Sequence, residues 1–279
     1  MKKRTLTVIG FACLCLQATP LFSASSTPGP AEQTLVEQFA AYFETKIRET
    51  GVTGAAFAVA TPGGIIRVGT AGHTDTSRKQ PIDENTTFRV ASVSKTFAAG
   101  LTAVLVNEGE FNWEDPVISH VPDFRINGDT GKVQIHHVLG QSTGLVPHAY
   151  DNLIEDGVPM KQIRDQYTKL SYICPPGECY SYQNSIFSLI EPVMETTTKQ
   201  SYADLMEEKI FRPLDMKTAS IGYEPFMASS NRARPHVKSR GIWKTVRVKP
   251  NYYRVAPAAG VNASVLDMGK WLTAQMGGN

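Results

Sequence analysis

"FRVASVSKTFAAG" occupies Phe88–Gly100, and in it Ser92 and Lys95 stand three apart among small and apolar neighbours. On a helix, positions three apart share a face. A helix beginning near Ser92 would put the hydroxyl at the positive end of the macrodipole, beside N–H groups able to hold an oxyanion. A lysine one turn on could take the serine proton if burial and a neighbouring cation lowered its pKa. The ordinary alternative is a helix start at which Ser92 or Ser94 acts as a cap. Ser-x-x-Lys is common by chance, so the stretch alone does not choose between them.

The surrounding pattern places this stretch in a fold. "VSKTFAAGLTAVLVNEG" puts Phe97, Leu101, Val104 and Leu105 on one helical face and ends at Gly109. Upstream, "AEQTLVEQFAAYFETKIRETG" carries Leu35, Phe39, Tyr42, Phe43 and Ile47 at helical spacing and stops at Gly51. "GAAFAVATPGGIIRVGTAG" reads as two short strands joined by a Pro-Gly-Gly turn. Downstream, "WEDPVISHVPDF", "IHHVLGQSTGL", "PMKQIRDQYTKL", "NSIFSLIEPVMETTTKQ" and "SYADLMEEKIFRPLDM" read as short helices between Pro and Gly turns. "WKTVRVKPNYYRV" restores β character, and "SVLDMGKWLTAQM" is a last helix. The expectation is an α+β fold. An α/β part begins over 25–88, a mostly helical domain covers 89–230, and the chain returns to the α/β part over 231–279. A lone hairpin is marginal, so further strands are expected beyond "QMGGN", and the end of the chain reads as a cut.

The composition is globular, with 42% hydrophobic and 19% charged residues. "MKKRTLTVIGFACLCLQATPLFSASS" has three basic residues, an apolar stretch from Leu6 to about Leu16, then small residues. That is the layout of a secretory signal peptide, read here as 1–24. The apolar stretch is short of the about 20 residues that cross a bilayer. Without Lys2, Lys3 and Arg4, the 28 basic residues become 25 against 26 acidic ones. No basic block of the kind that tracks a phosphate backbone is present, so nucleic acid is excluded as a partner. An exported protein of the periplasm or cell exterior is expected, with no membrane span in the mature chain. Of the four cysteines, Cys174 and Cys179 remain, five apart across Pro-Pro-Gly in "SYICPPGECYSYQN". An oxidising compartment would close them into a tight disulfide loop; two free thiols are the alternative.

"PPGECYSYQNSIF" supplies a second chemical element, with Tyr182 and Asn184 two apart before a helix. A tyrosine, whose unperturbed pKa is about 10, becomes a proton relay beside a lysine. The asparagine amide could hold both Lys95 and a substrate carbonyl. Read alone, the pair is a packed tyrosine and a capping asparagine.

Together, Ser92-x-x-Lys95 and Tyr182-x-Asn184, 90 residues apart, resemble the class C β-lactamase and DD-peptidase-related serine hydrolases. Supporting stretches follow in the family's order. "FNWEDPVISHVPDF" is similar to the segment after the nucleophile helix. "IHHVLGQSTGLVP" resembles "LLxHxSGL", with Gln141 where the family has histidine. "IFRPLDMKTA" resembles the "PLGM" turn, and "APAAGVNASVLDMGKWL" the "aGGlxSTxxDxxxw" segment. The resemblance implies an antiparallel sheet flanked by helices, with no cofactor and no metal. It implies that Ser92 becomes acylated, Lys95 and Tyr182 share the base role, and Asn184 orients Lys95 and the substrate amide. The Ser92 backbone N–H would supply half of an oxyanion hole. A β-lactam or a peptidoglycan-type peptide is the implied substrate. The same machinery serves DD-carboxypeptidases, esterases and D-amino-acid peptidases, and a catalytically silent homologue is the remaining alternative.

The family's third motif, Lys-Thr-Gly or His-x-Gly, is not found after "GVNASVLDMGKWL". Lys244-Thr245-Val246 comes too early and carries a branched residue where glycine is needed, so it reads as an exposed strand. Gly140-Gln141-Ser142-Thr143-Gly144 matches a nucleophile elbow but lacks the strand before and helix after that the elbow requires. Ser229-Ser230-Asn231 follows Ser92 by 137 residues, and Tyr182 already fills its role. His136 and His137 belong to no metal-ligand pattern.

Overall fold

A computed structural model describes residues 29–77 and 79–278. The leader segment lies outside the described residues. Helix α1 (Pro30–Thr50) opens on a proline, carries Glu32 in its first turn and ends at Gly51, whose φ of 61° is the left-handed cap geometry. Its apolar stripe turns only partly inward. Val36 and Ala40 are buried, while Leu35 and Tyr42 stay exposed. Phe39 and Phe43 close on the Phe57 ring at 5.0 and 4.7 Å.

Phe57 lies on β1 (Gly54–Thr61), which pairs antiparallel with β2 (Gly64–Gly72) through the expected tight turn. Three short strands, β3 (Phe88–Arg89), β4 (Ser220–Ile221) and β7 (Val261–Ala263), form a second antiparallel sheet in the order β3-β7-β4. At two or three residues each, they are too short to show a period. A separate hairpin joins β5 (His236–Ser239) to β6 (Ile242–Thr245). The β character expected of "WKTVRVKPNYYRV" therefore stops at Thr245, and Asn251–Arg254 is a 3-10 turn.

Helix α2 (Ser94–Asn107) follows a 3-10 turn at Ala91–Val93. Short helices then fill the middle of the chain. They are α3 (Val117–His120), α4 (Ile135–Leu139), α5 (Asp151–Glu155), α6 (Met160–Arg164), α7 (Asn184–Phe187), α8 (Ile190–Thr198), α9 (Tyr202–Met206) and α10 (Tyr223–Ala228). α11 (Ala256–Ala259) and α12 (Val265–Gln275) complete the set.

α2 is the axis of the core. Phe97, Leu101 and Leu105 are fully buried on the face the sequence marked, each contributing about 1.5–3 kcal/mol by leaving water. Phe97 stacks on Trp271 of α12 at 4.3 Å, and the Trp271 indole N–H donates to Thr96 Oγ1 at 3.0 Å. Gly100 admits the indole: a Cβ there would sit 2.5 Å from Trp271 Cη2. α12 in turn packs on β1 and β2, where Gly269 accommodates Ile65. Sheet, α12 and α2 are thus one packed body, and the first turn of α2 is held by it.

Candidate active site

Ser92 sits in the 3-10 turn just ahead of α2, not at its first residue. The turn is anchored from both sides. Val90 N–H donates to Val261 O at 3.1 Å, and Ser94 Oγ accepts from Val261 N–H at 3.0 Å. Neither serine caps the helix, since the N-cap residue is Val93 and it makes no side-chain cap. Ser94 is buried and committed to β7, while Ser92 is exposed. Ala91, just before Ser92, has φ 47°. A left-handed alanine costs about 1–3 kcal/mol, and the bonds to Val261 hold it there.

The residues singled out in sequence converge on Lys95. Its ammonium donates to Tyr182 Oη at 2.8 Å, Asn184 Oδ1 at 2.7 Å and Ala258 O at 3.1 Å. The three acceptors come from the loop ahead of α7, from α7 itself and from α11. Tyr182 Oη donates onward to Ser92 Oγ at 2.7 Å. The contact between serine and lysine therefore runs through the tyrosine. Lys95 also lies over the Tyr182 and Phe187 rings, at 4.6 and 5.3 Å. Burial pushes its pKa below the ordinary lysine value, opposed by the hydrogen bond and charge of Tyr182 and by the carboxylate of Asp151.

Asn184 differs from expectation in one respect. Its Oδ1 faces Lys95, but its Nδ2 donates to both oxygens of Asp151, at 3.1 and 3.2 Å. Asp151 also takes His148 Nδ1 at 3.0 Å. Sequence reasoning missed Asp151, His148 and the Ala258 carbonyl. Nothing in "HAYDN" signals a carboxylate facing a motif more than 30 residues on, and a backbone carbonyl has no residue signature.

Cys174 and Cys179 form a disulfide, their Cα atoms 6.2 Å apart. The loop they close and its two flanks are pinned to the stretch after α4. Ile173 N–H donates to Gly144 O, Gly177 N–H to Ser142 O and Ser181 N–H to Gln141 O. A side chain at Gly144 would meet Cys174 O at 2.2 Å, so only glycine fits. Gln141, in the histidine's place, accepts from Gln183 N–H through Oε1 at 2.8 Å. Ser142 stands in the loop after α4, with no strand before it. Asn231 clasps Asp83 and Thr86. Lys244 lies in the β5–β6 hairpin opposite Val237. None of these joins the group around Lys95. A cavity of about 550 Å³ borders the nucleophile turn through Val93 and Thr96, but Ser92, Lys95, Tyr182 and Asn184 do not line it.

An exposed hydroxyl in contact with a phenol, itself in contact with a desolvated amine, is an arrangement that can move a proton away from serine. The profile of the family described as Beta-lactamase matches residues 35–279. The chain belongs to the Beta-lactamase family. Among curated relatives it is 30% identical over 209 residues to Esterase EstB of Burkholderia gladioli, covering 69% of this chain and 53% of the esterase. It is 24% identical over 259 residues to Protein flp of Staphylococcus aureus (strain MW2), covering 86% and 49%. The octameric penicillin-binding protein homologue from Pyrococcus abyssi superposes with a TM-score of 0.74 at 23% identity, over 85% of this chain and 55% of that one. A structure of SurE superposes at 0.70, also at 23% identity, over 87% and 53%. The chain spans about half the length of the curated relatives it matches. The fold is the β-lactamase and penicillin-binding-protein fold, in its α+β form.

Proposed function

We propose that this Beta-lactamase family member is a serine hydrolase working through an acyl-enzyme on Ser92, with β-lactam amides as its substrate class. The observation that carries the reading is the unbroken path Ser92 Oγ–Tyr182 Oη–Lys95 Nζ, at 2.7 and 2.8 Å. In the resting site Lys95 donates to Tyr182 and Tyr182 to Ser92. For attack the path runs in reverse: Ser92 hands its proton to Tyr182 while Tyr182 hands its own to a neutral Lys95. Burial of Lys95 shifts its balance toward the neutral amine. The serine oxygen bonds to the acyl carbon, and the leaving group takes a proton from the same path. Water then attacks the acyl carbon with Tyr182 taking its proton, the bond from that carbon to Ser92 Oγ breaks, and the proton passes from Tyr182 to Ser92 Oγ, releasing the acid. The Ser92 backbone N–H is assigned to the acyl oxygen, an interaction typically worth about 100- to 1000-fold in rate.

A second reading is favoured by the 30% identity to an esterase: small acyl esters, cleaved by the same steps. Hydrolysis of a chromogenic cephalosporin set against a p-nitrophenyl ester separates the two. Cephalosporin turnover lost in Ser92→Ala supports the first; rapid ester turnover with none on the β-lactam supports the second. Export is part of the proposal, supported by the basic-then-apolar N-terminal segment and the disulfide. Among the described residues, no helix is long and apolar enough to cross a membrane.

A further inference from the structure

A primary amide works in one orientation only when each end has its own partner, because its oxygen accepts and its nitrogen donates. Asn184 meets that condition through two residues of opposite charge. Lys95 Nζ donates to Oδ1, and Asp151 accepts from Nδ2. Rotating the amide by half a turn would set an N–H₂ group against an ammonium and an oxygen against a carboxylate.

Asp151 is held in place by backbone that its sequence does not favour. His148 and Tyr150 have φ of 56° and 64°, left-handed values at non-glycine residues. Three bonds fix this bend to the segment that carries Tyr182 and Asn184. His148 N–H donates to Tyr182 O at 2.8 Å, Ser185 Oγ donates to Ala149 O at 3.1 Å, and Asn184 donates to Asp151. The His148 ring packs against the Tyr182 ring at 5.3 Å. Left-handed backbone at a non-glycine residue costs free energy, which these contacts help to offset.

We propose that Asp151 is a positioning residue for acyl transfer: it locks the Asn184 amide so that Oδ1 faces Lys95, and it places a negative charge on the far side of that amide from the ammonium. The role rests on the acyl-serine reading above. The groups facing Asp151 are Lys95 on α2, Asn184 on α7, the His148 ring, and Tyr252 of the 3-10 turn, with Glu155 on its own helix bonded to Tyr252. Of these, Lys95 is the base of the proposed path, so a change of charge at 151 is read there.

The test uses an alkyl fluorophosphonate, which bonds phosphorus to Ser92 Oγ and expels fluoride while the serine proton passes to the Tyr182–Lys95 pair. Labelling of the whole protein is followed by intact mass as a function of pH. Asp151→Ala should slow labelling by up to about 100-fold, the cost of misplacing a catalytic group, with an unchanged circular dichroism spectrum. Asp151→Asn keeps an acceptor for Asn184 but no charge. At its plateau it should label faster than Asp151→Ala, with the acidic limb of the profile displaced to lower pH. Asp151→Ala labelling within twofold of the parent, or an Asp151→Asn profile superposing on it, would overturn the role while leaving the acyl-serine reading intact. Equal labelling of Ser92→Ala would reject the acyl-serine reading, and the role with it.

Discussion

Tyr182 stands between Ser92 and Lys95, 2.7 Å from the hydroxyl and 2.8 Å from the ammonium, so the serine reaches its lysine only through a phenol. Tyr182→Phe keeps the ring over which Lys95 packs and removes the single atom that joins the two. Hydrolysis should fall by about 10²- to 10⁴-fold, the usual size of a general acid–base contribution. Steady-state rates on a chromogenic substrate check this. A Phe variant within a few-fold of the parent would mean that the proton leaves Ser92 by another route.

Lys95 gives the pH dependence its sign. Its charged form is disfavoured by burial, so its pKa lies below the ordinary 10.5 and the neutral amine is gained as pH rises through the shifted value. kcat/KM should therefore climb on the acidic limb as Lys95 loses its proton. Lys95→Arg retains the cation without a titratable base. That variant should lose about 100-fold or more in rate and show no limb attributable to position 95. An Arg variant with the parental limb would assign it to another group.

Burial of Lys95 also bears on stability. The unfolded chain holds this proton more tightly than the folded one, so folding is favoured as pH rises between the depressed pKa and 10.5. Glu191 has the opposite sign. Its pKa is raised from 4.5 to about 7 by burial and by Glu195, against the pull of Arg164. The folded state then binds the proton more tightly. Stability from this residue is fully present below 4.5 and is lost as pH rises through about 7. Glu191→Gln should flatten that dependence and raise stability at pH 8 by roughly 1–3 kcal/mol. Urea midpoints at pH 5 and pH 8 measure it, and equal gains at both would contradict the assignment.

The Cys174–Cys179 bridge closes a short loop three residues before Tyr182. By the chain-entropy account, a loop of this length contributes about 2 kcal/mol. The loop and its flanking residues are held to Gly144, Ser142 and Gln141 by backbone bonds, and Tyr182 is held by His148 N–H. The Cys174→Ser/Cys179→Ser double variant should therefore lose about 2 kcal/mol of stability while its kcat stays close to the parent's. A large loss of kcat with little loss of stability would make the bridge a positioning device for the tyrosine.

How much of this was legible follows from which signals are local. The α2 stripe of Phe97, Leu101 and Leu105 and the Pro-Gly-Gly hairpin were readable because period and turn chemistry are written in consecutive residues. Ser92, Lys95, Tyr182 and Asn184 were readable as two short motifs, and the structure brings their side chains together. β3, β4 and β7 were not, because strands of two or three residues have no period and exist only through pairing with distant chain. Asp151 was hidden for the same reason. Its contact with Asn184 spans 33 residues and depends on two left-handed residues whose types, His148 and Tyr150, give no warning. The exposure of Leu35 and Tyr42 was hidden too, since the spacing of α1 shows a stripe but not how much of it is covered.

Trapping of the intermediate tests the central claim most directly. The protein is mixed with a chromogenic cephalosporin or a p-nitrophenyl ester, quenched in acid during turnover, digested and mapped by tandem mass spectrometry. The account predicts an acyl adduct on Ser92 in the peptide containing "ASVSK", absent from Ser92→Ala together with turnover. Turnover that persists in Ser92→Ala, or an adduct on a different residue, would contradict it.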